Sequence, residues 1–305
     1  MKLATAFFSL VRWPNLVFIA LTQSLFYFCI YLPLYREAHH STFILLLLAS
    51  IFIAAAGYIL NDYFDINIDR VNKPEKNVVD KVIHRRWAII WHMALSMAGL
   101  LLTVFAVGLH RWYLLLANTG CVLLLWFYST SLKRQLLIGN IVISALTAWT
   151  ILVLFFAFTH PGDAFNSDNI LSRRFFRIAF LYAGFAFVIS LVREAVKDVE
   201  DLQGDDRYGC RTLPIVAGVK ATKVYSGVWL VVLIAVLLVL QAYVLQLGWW
   251  PSIIYNLAFI ITPLFFTLFR LRKAVTTHDF GRLSSYTKWI MLSGIVSMLF
   301  FAFYF

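Results

Sequence analysis

Asn61, Asp65 and Asp69 step along the chain by four residues, with Asp62 three before Asp65, and Glu194, Asp198, Asp201 and Asp205 step by four, three and four. Residues three or four apart share one face of a helix, so each set forms a stripe of carboxylates. Like charges at that spacing destabilise a helix unless something cationic offsets them. Two rows of hard oxygen ligands suit Mg²⁺, which takes one or two carboxylates and completes its shell with water and phosphate oxygens. Bases interleave with the acids, at Arg70, Lys73, Arg193, Lys197, Arg207 and Arg211. A polyphosphate site predicts that mixture, with carboxylates on the metal and Lys or Arg on the phosphates. A solvated helix end with surface salt bridges is the alternative for either stripe alone. Of the 15 acidic residues, 11 lie in the two stretches 61–80 and 193–215, a clustering that scattered solvation does not produce.

The rest of the chain sets where these stripes can sit. Of 305 residues, 62% are apolar and 13% charged, against about 45–50% apolar in ordinary soluble domains. That excess excludes a disordered chain and a soluble enzyme and places the chain in a bilayer. Apolar runs predict an all-α, polytopic membrane protein with nine transmembrane helices, at about 14–34, 42–60, 87–108, 112–131, 136–158, 175–196, 224–245, 249–270 and 286–305. The first run is too long for a cleaved signal peptide and lacks a small-residue cleavage pattern after it, so it is expected to remain as a span. The three cysteines show neither disulfide nor metal-site spacing.

With nine spans and a cytoplasmic N-terminus, 21 of the 26 Lys and Arg residues fall on the cytoplasmic face. The positive-inside rule favours that orientation. Both acidic stretches then begin at the cytoplasmic ends of spans two and six and can meet at one face. The net charge of +11 reads as orientation plus an anionic substrate, with no nucleic acid partner implied.

At this point the motif text is informative. NDYFDINID at 61–69 resembles the NDxxDxxxD signature of the UbiA superfamily of intramembrane prenyltransferases, and KDVEDLQGD at 197–205 resembles its second aspartate motif. RWPN at 12–15 and YSTSLKR at 128–134, similar to the family's YSxxLKR, occur in the same order. The resemblance covers nearly the whole chain and implies one domain over 1–305, with nine helices around a central cavity capped by cytoplasmic loops. It implies that Asn61, Asp62, Asp65 and Asp69 hold Mg²⁺ from the first motif, and Asp198, Asp201 and Asp205 from the second. Tyr128, Lys133 and Arg134 would contact a prenyl diphosphate, joined by Arg70, Arg193 and Lys197, and Asn15 would face the cavity. Tyr128 could equally be an interfacial belt residue, and Lys133 and Arg134 positive-inside anchors. Asp65, Asp69, Asp201, Asp205 and Lys197 are the expected catalytic set.

The implied reaction is ionisation of an allylic diphosphate, with Mg²⁺ and bases stabilising the departing pyrophosphate, followed by capture of the carbocation by a lipophilic acceptor. An apolar cavity excludes water that would quench the cation. REAVKDVEDLQGD followed by TLPI at 212–215 looks most like the subgroup that transfers geranylgeranyl to the hydroxyl of geranylgeranylglyceryl phosphate. Quinone-type relatives with aromatic acceptors share much of that pattern, and NKPEKNVVDKVIHRR departs from the continuation common in the family. Lys81, Arg85 and Arg86 could face a phosphate-bearing acceptor or serve as topological anchors. A secondary transporter is the main alternative from another class; it would show inverted repeats and midplane charges, whereas these acids sit at helix ends. No obligate protein partner is implied, and the expected location is the cytoplasmic membrane.

Overall fold

The computed structural model describes residues 2–72, 83–160, 162 and 169–305. Among them are nine helices long and apolar enough to cross a membrane: α1 (Trp13–Tyr35), α2 (His40–Asn72), α3 (Arg85–Val107), α4 (Leu109–Thr130), α5 (Ile138–Phe158), α6 (Ile170–Glu200), α7 (Gly218–Gln246), α8 (Trp250–Lys273) and α9 (Thr277–Tyr304). The protein is a multi-pass membrane protein, and the number of spans matches the sequence expectation.

The outward faces carry large apolar side chains, such as Phe105, Val239 and Trp289. Between lipid-facing helices there is little hydrophobic force, so small residues and polar side chains join them. Gly99 on α3 shows this: a Cβ there would meet Ile53 at 2.7 Å and the Ala49 carbonyl at 3.2 Å, so α2 and α3 approach closely. Gln23 on α1 donates to the Ser50 hydroxyl at 2.9 Å and the Thr150 carbonyl at 2.8 Å, tying α1 to α2 and α5. Asn118 donates to Thr103 and accepts from Trp149, both at 2.9 Å, tying α4 to α3 and α5.

Two spans contain a wide turn, at Phe26–Tyr31 in α1 and Leu257–Ile261 in α8. Pro33 and Pro263 follow these turns. Proline lacks an N–H and its ring crowds the carbonyl four residues back, and the wide turn absorbs both defects without ending the span.

Three elements differ from the sequence expectation. α2 continues past residue 60 to Asn72, because its carboxylates find cations within the chain: Arg12 on Asp62 at 2.6 Å and Lys133 on Asp65 at 2.5 Å. α9 begins at Thr277 instead of 286, started by a capping box in which the Thr276 hydroxyl accepts from the Asp279 N–H and the Asp279 carboxylate accepts from the Thr276 N–H. The stripe Glu194–Asp198–Asp201–Asp205 is not one helical face. α6 ends at Glu200, Asp201 sits in the bridge between two helices at φ −91° and ψ 3°, and Asp205 belongs to a separate short helix, Leu202–Arg207.

That short helix packs on the end of α2. Next to it, the Arg211 N–H donates to the Arg134 carbonyl at 2.8 Å, joining the segment after α6 to the turn after α4. These connections lie at the end of the bundle that carries both aspartate motifs, where the cap was expected.

Candidate active site

A cavity of about 310 Å³ opens beneath this cap, within the ordinary range for small-molecule sites. Six of the nine spans line it: α1, α2, α4, α5, α6 and α9. Its deep part is apolar, with Ile53, Leu125, Leu146, Phe185, Met291 and Met298 on the wall. Its polar part gathers Arg12, Asn15, Tyr58, Asn61, Tyr128, Arg193, Glu194, Lys197 and Lys288. A long apolar slot with charge at one end has the shape of an amphiphile with an anionic head.

The first motif presents Asn61, Asp62, Asp65 and Asp69 along the last turns of α2. Lys133, carried by the turn Leu132–Arg134, reaches back to donate to Asp65 at 2.5 Å and to the Asn61 side-chain amide oxygen at 3.3 Å. The turn is held there by close packing: a Cβ on Gly139 would fall 2.8 Å from the Lys133 backbone.

The second motif is docked on the first. Asn72, the last residue of α2, donates to the Asp201 carbonyl at 3.0 Å and accepts from the Gly204 N–H at 2.8 Å. Gly204 is required at that contact, because a Cβ there would lie 2.5 Å from the Asn72 amide. Asp198 accepts from Asn140 on α5 at 2.9 Å. Burial, together with the charges of Asp201 and Asp65, pushes the Asp205 carboxyl up to about 7. Carboxylates from both motifs thus repel one another across a short gap, where a bound cation would be stabilised.

Among the described residues no three His, Cys, Asp or Glu side chains are close enough to form an all-protein metal site. Mg²⁺ can be held by one or two carboxylates, with its remaining ligands from water and substrate phosphate. Asp201 and Asp205, with Asp65 opposite, fit such a group by charge and by donor type.

Of the residues expected from sequence, Asn15, Asn61, Tyr128, Arg193 and Lys197 line the cavity. Lys133 and the aspartates Asp62, Asp65, Asp69, Asp198, Asp201 and Asp205 lie outside that lining, as do Arg70 and Arg134, which are exposed. Arg85 and Arg86 are exposed at the start of α3, and Lys81 lies outside the described residues. Arg193 bonds Glu194 at 2.6 Å, and Lys197 lies 4.0 Å from the same carboxylate. Four residues that sequence reasoning left unassigned take part, Arg12, Asn72, Asn140 and Lys288, and Glu194, read as part of the second carboxylate stripe, pairs with Arg193 and Lys197. Lys288 did carry a signal, as an isolated charge inside an expected apolar span.

Comparison with known proteins gives the family. The model of the UbiA prenyltransferase family matches residues 24–292. The digeranylgeranylglyceryl phosphate synthase of Saccharolobus solfataricus is 29% identical over 249 residues, covering 81% of this chain and 80% of its own. The synthase of that name from Thermococcus kodakarensis is 34% identical over 179 residues, covering 59% of this chain and 58% of its own. A solved UbiA homologue from Archaeoglobus fulgidus, bound to GPP and Mg²⁺, superposes with a TM-score of 0.61 at 17% identity, over 96% of this chain and 99% of its own. With the family match extending across nearly nine-tenths of its length, the chain belongs to the UbiA prenyltransferase family and is a membrane-embedded prenyltransferase.

Proposed function

We propose that this protein, as one domain over 1–305, transfers a geranylgeranyl group from its diphosphate to the free hydroxyl of geranylgeranylglyceryl phosphate, releasing pyrophosphate. The observation that carries this reading is the name shared by the curated relatives that align along about four-fifths of their length, digeranylgeranylglyceryl phosphate synthase. The cavity supports it: an apolar slot suits long prenyl chains, and a cationic rim suits two phosphorylated lipids.

Each part of the site then has a task. Asp65, Asp201 and Asp205, joined by Asp62, Asp69 and Asp198 of the two motifs, would hold Mg²⁺ together with water and diphosphate oxygens, and the metal would supply Lewis acidity. Lys133 and Asn61 hold the first motif in register and present positive charge and an amide to the same anion. Lys197 adds cationic charge at the rim, where low polarity strengthens it. As the allylic C–O bond breaks, its electron pair leaves with the diphosphate, and these fixed charges stabilise the anion without reorganising. The apolar wall keeps water from the cation until the acceptor oxygen attacks and loses its proton.

The test is a matrix of radiolabelled geranyl, farnesyl and geranylgeranyl diphosphates against geranylgeranylglyceryl phosphate, 4-hydroxybenzoate and homogentisate, using purified protein in detergent. The diether from the two geranylgeranyl substrates should form fastest, EDTA should abolish it, and added Mg²⁺ should restore it. Faster prenylation of an aromatic acceptor would favour the quinone-type reading.

We further infer that the N-terminus and both aspartate motifs face the cytoplasm, which the lysine and arginine distribution supports. Cys29, Cys121 and Cys210 are buried, and burial first, then the nearby Asp205 carboxylate, pushes the Cys210 thiol up to about 11, so native background labelling should be low. In intact cells an impermeant maleimide should label Leu247→Cys, after α7, and spare Val275→Cys, between α8 and α9. The reverse pattern would invert the orientation.

A further inference from the structure

The charged residues of the cavity rim do not balance. Arg12 is matched by Asp62 at 2.6 Å. Arg193 and Lys197 share a single carboxylate, Glu194, at 2.6 and 4.0 Å. Lys288, on the far wall, donates to the neutral Asn15 amide oxygen at 2.9 Å and lies 5.2 Å from the centre of the Phe18 ring. Among the described residues no carboxylate forms an ion pair with it. Arg193, of the same sign, lines the same cavity.

Desolvating a cation between an aromatic ring and an amide, facing a second cation, is unfavourable unless an anion enters. In the reaction proposed above the diphosphate is held by Lys133 and the aspartates, none of which lines this cavity. Two surplus positive charges therefore remain on the wall formed by α1, α6 and α9. A carboxylate could take one of them; a phosphate monoester, with nearly two negative charges and three acceptor oxygens, takes both.

We propose that Lys288, with Arg193 and Asn15 beside it, is the binding subsite for the phosphate monoester of the acceptor. It rests on the glyceryl phosphate reading above and gives that reading its specificity: the phosphate is held on the α9 wall, the prenyl chain lies in the slot, and the free hydroxyl turns toward the donor. Lys288 is here a binding residue and touches no reacting bond.

The experiment compares wild type, Lys288→Met and Lys288→Arg with saturating geranylgeranyl diphosphate, using geranylgeranylglyceryl phosphate and the unphosphorylated geranylgeranylglycerol as acceptors. Lys288→Met should raise the KM for the phosphorylated acceptor about ten- to a hundredfold, the loss of one charge-assisted hydrogen bond. It should leave the donor KM and the rate with the neutral alcohol unchanged, and Lys288→Arg should keep most of the affinity. In wild type, millimolar glycerol 1-phosphate should compete with the acceptor and not with the donor, a readout that needs no variant to fold. An unchanged acceptor KM, a donor KM that rises with it, or competition against the donor would overturn the subsite while leaving the reaction intact. Wild-type enzyme with no turnover of the phosphorylated acceptor would overturn the functional reading and the subsite together.

Discussion

Asp65→Ala and Asp201→Ala should each lower turnover about a thousandfold, the upper range for removing one element of preorganised charge stabilisation. The double variant should lose little more than either single one, because residues that act as a unit are grossly non-additive. The two aspartates lie 136 residues apart in sequence, and the contacts of Asn72 bring their segments together. Prenyl transfer measured at saturating donor, with Mg²⁺ raised until the rate no longer changes, separates weak metal binding from lost chemistry. Independent, multiplying effects would mean that the two motifs do not serve one anion.

The second large effect is expected at a residue with no functional group. Gly204→Ala places a Cβ at 2.5 Å from the Asn72 amide, which must then leave its bonds to the Gly204 N–H and the Asp201 carbonyl. The short helix carrying Asp205 would shift relative to α2. A misplacement of the order of 1 Å at a reacting centre costs about a hundredfold in rate. Turnover should fall by about that factor while the unfolding temperature changes little, since the buried packing of the nine spans is untouched. Gly281→Ala is the control: its Cβ would meet only the movable end of the Glu200 side chain, at 3.3 Å, and should leave the rate near wild type.

What the sequence disclosed follows from the range of the forces involved. Hydropathy is local, so each span was found within its own run of residues, and the three-and-four spacing placed Asp62, Asp65 and Asp69 on one side of α2 before any contact was known. The ends were harder. The local spacing carries the helical pattern to Asp69, but the cations that compensate its acids come from Arg12 and Lys133, 50 and 68 residues away. The same spacing rule failed at Asp201, where the helix breaks. There the backbone is set by the Gly204–Asn72 contact across 132 residues. The pairing of Lys288 with Asn15 spans 273 residues and joins the first span to the last. Such contacts are written in no local pattern, and a lone lysine in an apolar run was their only trace.

Both aspartate motifs are expected to hold one diphosphate through Mg²⁺. Calorimetric titration of detergent-solubilised protein with a non-ionisable thio-analogue of geranylgeranyl diphosphate tests this without turnover. Binding should require Mg²⁺ in wild type and should be lost equally in Asp65→Ala and Asp201→Ala. Tight binding in EDTA, or full Mg²⁺-dependent binding in either variant, would contradict it.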